Sequence, residues 1–206
     1  KVISIITRGR SGALFLQSLF DSHYEIATIP GPFLSDYFSW YEKNKNLSLK
    51  SLIYNFVNSH NLIFDYESNT TDKFGFTKMG KERNEKLSVD TNLFISNFLD
   101  FFKENKEINR KKIFINIHLA YSLAVGHDIK NINTIVYYMH DYSFAKVQLL
   151  QSDFPEGKFI LMVRETIQTI VSLLNNYYDS NMFATKRSYS IKEPFFLINE
   201  HFYPLT

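Results

Sequence analysis

Residues 2–20 constrain the fold more than any other part of the chain. A short β-branched run, Val2-Ile3-Ser4-Ile5-Ile6, passes through Thr7-Arg8-Gly9-Arg10-Ser11-Gly12 into an apolar-periodic stretch carrying Leu14, Leu16, Leu19 and Phe20. The first run reads as a buried strand, and the spacing after it predicts a helix over residues 11–21. A buried strand that feeds a helix through so short a loop belongs to a parallel sheet covered by helices. The loop has a chemistry of its own. N–H groups at a helix start lack intrahelical acceptors and face outward, so such a turn suits an anion. Gly9 and Gly12 permit close backbone approach, and Arg10 adds a fixed positive charge. Taken alone, the same residues also describe a tight turn with an incidental arginine.

Two further strands are expected, over residues 134–139 and 158–163, followed by helices over 144–150 and 166–178. Helical spacing dominates the middle, over 35–42, 49–59 and 89–103. In 111–125, Ile113, Ile117, Ala120, Tyr121 and Ala124 favour helix over strand. Ile29-Pro30-Gly31-Pro32 breaks any regular element. The expected architecture is a three-layer α/β domain over residues 1–206, with a central, mostly parallel sheet and helices on both faces. A helical insertion at about residues 33–110 separates the first strand from the rest. With 206 residues and 45% hydrophobic content, one well-buried core is within reach and a second is not expected. The chain opens directly in a strand and reaches Thr206 without a clear stop signal, so a C-terminal portion is expected to be missing.

Composition narrows the chemistry. The absence of cysteine removes disulfides, thiolate metal sites and cysteine nucleophiles, and fits a reducing, cytoplasmic setting. A net charge of +2 makes no electrostatic case for nucleic acid. No run approaches the roughly 18 consecutive apolar residues of a membrane helix, and no signal-peptide pattern opens the chain. The basic runs Lys43/Lys45, Lys78/Lys81/Arg83 and Arg110/Lys111/Lys112 fit solvated faces, or an acidic glycan.

A second anion site follows the strand over 158–163. Arg164 stands directly after it and Ser172 eight residues later on the next helix. Arginine is suited to bidentate phosphate contact and a serine hydroxyl donates a further bond. An ion pair with Glu165 and an ordinary helix-surface serine are the alternatives. Both anion sites fall at the C-terminal edge of the sheet, where open α/β sheets bind ligands. A nucleotide-triphosphate loop of the form G-x-x-x-x-G-K-[ST] is absent, as is G-x-G-x-x-G.

On these motifs the chain resembles the sulfotransferases that use 3′-phosphoadenosine 5′-phosphosulfate (PAPS). That family carries a 5′-phosphosulfate loop [KR]-S-G-T-[TS]-x-[LF] after its first strand. Arg10-Ser11-Gly12-Ala13-Leu14-Phe15-Leu16 matches its first three positions. Its 3′-phosphate site, a strand ending in [VL]-R-[DNE] with a serine eight residues on, is matched by residues 158–165 and Ser172. Asp21-Ser22-His23 and Asp153-Phe154-Pro155-Glu156-Gly157-Lys158 resemble flanks of bacterial members. The likeness covers about residues 2–31 and 134–178.

The resemblance implies PAPS as co-substrate and PAP as product, no metal, and a small-molecule, glycan or lipid acceptor sulfated on a hydroxyl or amine. It assigns the nucleotide to Arg8, Gly9, Arg10, Ser11, Gly12, Ala13, Leu14, Phe15, Arg164 and Ser172, with Phe15 near the adenine. Arg10 would steady charge on the bridging oxygen; it acts by electrostatics, because a guanidinium does not give up its proton. Two departures stand out. Ala13-Leu14 replaces a pair of hydroxyl residues, a loss of about 1–3 kcal/mol per charged hydrogen bond, and no C-terminal Gly- and basic-rich loop precedes Thr206.

The acceptor must lose a proton as it attacks sulfur, which calls for a base near neutrality. His140 ends the second strand at the edge that carries both anion sites, with Asp141 beside it, and stands near the position of the catalytic histidine in cytosolic members. His118 is the rival base. His23 is expected to pack at the end of the first helix, and His60, His127 and His201 to lie on the surface or in loops. Ala13-Leu14 also keeps open a non-catalytic protein of the same fold that binds PAP, PAPS or another anion. A nucleotide kinase is disfavoured by the lack of a magnesium ligand.

Overall fold

A computed structural model describes residues 1–7, 11–65, 78–79, 81–103, 107–140 and 143–179. Four strands, β1 (Val2–Thr7), β2 (Ile26–Thr28), β3 (Thr134–His140) and β4 (Lys158–Leu161), form one sheet in the order β2-β3-β1-β4. Every pairing is parallel. The helices are α1 (Ala13–Ser18), α2 (Tyr37–Asn44), α3 (Leu49–Ser59), α4 (Thr91–Asp100), α5 (Arg110–Ala124), α6 (Phe144–Asp153) and α7 (Thr166–Asp179). A 3-10 turn, Asn61–Ile63, follows α3.

Alternation along the strands divides the core between the two faces. Ile5, Val136 and Tyr138 turn to one face and pack with Ala13, Leu14 and Leu16 of the α1 segment. Val2, Ile6, Ile135, Tyr137 and Met139 turn to the other, against a larger aromatic core that includes Phe38, Phe56, Phe94 and Phe114. The three-layer α/β arrangement expected from sequence is therefore present. Leaving β1, the chain crosses the sheet one way; from β2 to β3, and from β3 to β4, it crosses the other way. Right-handed crossovers then put the connecting helices on opposite faces and open a crevice beyond the ends of β1 and β3. Thr7 and His140 are register partners there.

Several expectations need correcting. β2 was not expected, because three residues before a Pro-Gly-Pro breaker carry no periodic signal; pairing with β3 makes them a strand. The helical insertion consequently lies between β2 and β3. α1 is shorter than residues 11–21. Gly12 is left-handed at φ +81°, so the helix starts at Ala13, and the chain turns after Ser18. β4 stops at Leu161, although the Met162 N–H still reaches the Ile6 carbonyl at 3.0 Å.

Helices α3, α4, α5 and α6 begin on side-chain caps, Ser48, Asp90, Asn109 and Ser143, each accepting an N–H of its first turn. The basic run at the start of α5 is engaged within the fold. Arg110 forks onto Asp153 at 2.7 and 3.0 Å and reaches Glu42 at 3.0 Å. Lys111 stands over the Phe154 ring and Lys112 pairs with Glu107. These contacts tie α2, α5 and α6 together.

His60 is the clearest reversal: expected at the surface or in a loop, it is 4% exposed. Its ring stacks on Phe56, with Nδ1 3.0 Å from the Phe56 carbonyl and Nε2 3.0 Å from the Asp36 carboxylate. The hydrogen bond from His60 holds the Asp36 carboxyl below the usual carboxylate range.

Candidate functional site

Two segments about 150 residues apart in the chain meet at the C-terminal edge of the sheet. A pocket of about 230 Å³ is lined by Gly12, Ala13, Leu14, Tyr138, Arg164 and Ser172. Five of these six were singled out from sequence. β1 delivers the first three: Thr7 ends the strand, its hydroxyl bonds to that of Ser11, and left-handed Gly12 turns the chain into α1. The N-cap residue Gly12 has no side chain to cap α1, so among the described residues no capping oxygen takes its first N–H groups. With six residues, α1 supplies local donors rather than a long helix dipole.

β4 delivers the other side. The Glu165 carboxylate accepts the N–H groups of Ile167 and Gln168 at 3.0 and 2.7 Å and so starts α7; those bonds hold its carboxyl below the usual range. Arg164 Nε donates to Gln168 Oε1 at 3.4 Å, and its side chain is exposed. Glu165 is thus occupied as a cap, and Arg164 and Ser172 share one pocket.

His140 is the last residue of β3 and half-buried. It lies two residues after Tyr138, hence on the same face of the sheet, and the two rings meet edge to face at 5.9 Å. His140 therefore stands on the pocket face, beside a pocket-lining ring. Its N–H donates to Ser35 Oγ at 3.1 Å. His118 lies on the opposite face. It is buried against Phe114 and Tyr137, and its Nδ1 lies 2.8 Å from the Phe114 carbonyl while Nε2 has no partner. Burial pushes its pKa down to about 4. A base must reach the reacting atoms, and the sheet separates His118 from the pocket.

The other nominated residues are scattered or unseen. Phe15 is 71% exposed on α1 and does not line the pocket. His23 is exposed, stacked on Tyr24 in the turn after α1. Arg8, Gly9, Arg10, Asp141 and His201 lie outside the described residues. Tyr138, the sixth lining residue, belongs to no motif, although strand alternation places it on the face of His140.

Gly12 offers a direct test of the turn. A Cβ there meets nothing within 4 Å, so Gly12→Ala is opposed by backbone conformation alone. The variant should lose about 1 kcal/mol of stability in urea titrations. An unchanged midpoint would show that the turn tolerates another conformation.

Compared with protein-family models, with curated proteins and with solved structures, the chain finds no match.

Proposed function

We propose that this chain is a PAPS-dependent sulfotransferase, moving a sulfuryl group to a hydroxyl or amine of a small-molecule, glycan or lipid acceptor. The convergence of Gly12, Ala13 and Leu14 with Arg164 and Ser172 in one pocket carries this reading. In the resembled family these positions hold the two phosphate ends of one nucleotide. At about 230 Å³ the pocket falls below the roughly 300–1,000 Å³ of sites that enclose a whole ligand. It is a seat for a phosphate and adjoining ribose, with the rest of the nucleotide lying across the edge.

In the proposed reaction the acceptor oxygen or nitrogen attacks sulfur in line. The new bond to sulfur forms as the bond between sulfur and the bridging oxygen breaks, and PAP departs with that electron pair. His140 takes the acceptor proton. Arg10 and the N–H groups after Gly12 stabilise the charge arriving on the bridging oxygen. Ala13 and Leu14 supply no hydroxyl, so among the described lining residues the hydroxyls are those of Tyr138 and Ser172.

Calorimetry with PAP, followed by transfer of labelled sulfuryl from PAPS to a panel of acceptors, tests the reading. Arg164→Ala should weaken PAP binding about 10- to 100-fold, the worth of a charge-assisted pair to phosphate. If the wild-type chain does not bind PAP, the proposal fails. The missing hydroxyls at Ala13 and Leu14 favour a second reading, a non-catalytic PAP-, PAPS- or anion-binding protein of the same fold. Binding without transfer to any acceptor would speak for it.

A further inference from the structure

Gln17 is 3% exposed, on α1, five residues past Gly12, and every polar atom of its amide is used. Nε2 donates to the Ile29 carbonyl at 2.8 Å and to Thr28 Oγ1 at 3.1 Å. Oε1 accepts the Gly31 N–H at 3.1 Å. These bonds clamp the turn after β2 onto the helix that begins at the pocket. The turn has little freedom of its own. Gly31 is left-handed at φ +79°, and a Cβ there would meet the Phe33 ring at 2.8 Å.

The clamped segment runs on to the end of β3. β2 stops at Thr28, opposite Val136, so the last residues of β3 have no strand beside them on that side. The segment after β2 takes the strand's place. The Leu34 carbonyl accepts the Tyr137 hydroxyl at 3.2 Å, and Ser35 Oγ accepts the His140 N–H at 3.1 Å while donating to the Pro32 carbonyl at 2.7 Å. His140 is thus held by β1 on one side and by Ser35 on the other.

We propose that Gln17 is a positioning residue, with Ser35 as its relay: one buried amide fixes the spacing between the anion pocket at the start of α1 and the imidazole of His140. The inference rests on reading that pocket and His140 as parts of one site. Gln17 does not line the pocket, so it acts only through the segment it holds.

The test uses the histidine ring C–H resonances of the whole chain, that of His140 being assigned by its disappearance in His140→Gln. Gln17→Met keeps the side-chain length and removes all three hydrogen bonds; it should move the His140 resonance by more than a linewidth. PAP affinity should stay within about threefold of wild type, because the substituted group lies outside the pocket. Ser35→Ala should move the same resonance, and it decides the question if Gln17→Met fails to fold. Ile53→Val, a buried change on α3, should leave it in place. An unmoved His140 resonance in the Gln17 and Ser35 variants overturns the proposal, as does an equal shift in Ile53→Val. A tenfold or greater loss of PAP affinity in Gln17→Met also overturns it, since Gln17 would then belong to the pocket. If the wild-type chain binds no PAP, the nucleotide reading falls, while the histidine resonances still decide whether Gln17 positions His140.

Discussion

His140→Ala should leave PAP affinity within about twofold of wild type and lower the rate of sulfuryl transfer by about 10²–10⁴, the usual contribution of a positioned general base. The split follows from geometry. The pocket is lined by Gly12, Ala13, Leu14, Tyr138, Arg164 and Ser172, and His140 stands next to it rather than in its lining. Binding measured by calorimetry and turnover measured from labelled PAPS should therefore separate. A variant that keeps its rate would remove His140 from the mechanism. One that loses PAP affinity and rate in step would place it among the nucleotide contacts. His140→Gln should behave like His140→Ala, because an amide fills the space without accepting a proton near neutrality.

Acid should destabilise the fold through His118, and His118→Leu should relieve it. The imidazole is buried on the core face and titrates at about 4, against the ordinary 6.5 of an unfolded chain. Between those values the unfolded state binds the additional proton, so stability falls as pH drops from about 6.5 to about 4 and levels off below. The full difference corresponds to about 3 kcal/mol. At pH 7 the ring is neutral in both states. There, His118→Leu gives up the hydrogen bond to the Phe114 carbonyl but also removes the partnerless Nε2, so stability should change by no more than about 1 kcal/mol. Urea midpoints at pH 7, 6, 5 and 4.5 measure both slopes. The carboxylates titrate in both chains, so the difference between the two curves isolates His118. Parallel curves would show that the ring is protonated in the folded state.

Much of the site could be read in the chain because strand ends announce it. Val2-Ile3-Ser4-Ile5-Ile6 and residues 158–163 are short, apolar and bounded by turn residues, so the loops at their C-terminal ends could be located without coordinates. Gly12, Arg164 and Ser172 followed from that placement. His140 followed in the same way, as a histidine closing a strand. β2 could not be found so. Ile26-Ala27-Thr28 is a strand only because β3 offers it hydrogen bonds, and no local pattern records a partner that lies more than 100 residues away.

Buried polar residues leave no local pattern either. His60 and Gln17 look like solvent-facing residues until their partners are known. His60 is buried because the Phe56 carbonyl and the Asp36 carboxylate both receive it, and Gln17 because three groups of one turn converge on its amide. Desolvating such groups is unfavourable unless every donor and acceptor is met. Whether that condition holds depends on atoms brought together by folding.

Local pattern alone was enough to determine an α/β chain with strands at β1, β3 and β4, and two anion-suited segments at their C-terminal ends. Side-chain period and turn chemistry are properties of neighbouring residues, so they survive in a linear reading. The tertiary structure alone decided that those segments share one pocket, that His140 and not His118 lies on its face, and that Gln17 ties the two together. Those outcomes depend on the order β2-β3-β1-β4 and on which face each strand turns to the helices. Both are set by hydrogen bonds and packing between residues far apart in the chain.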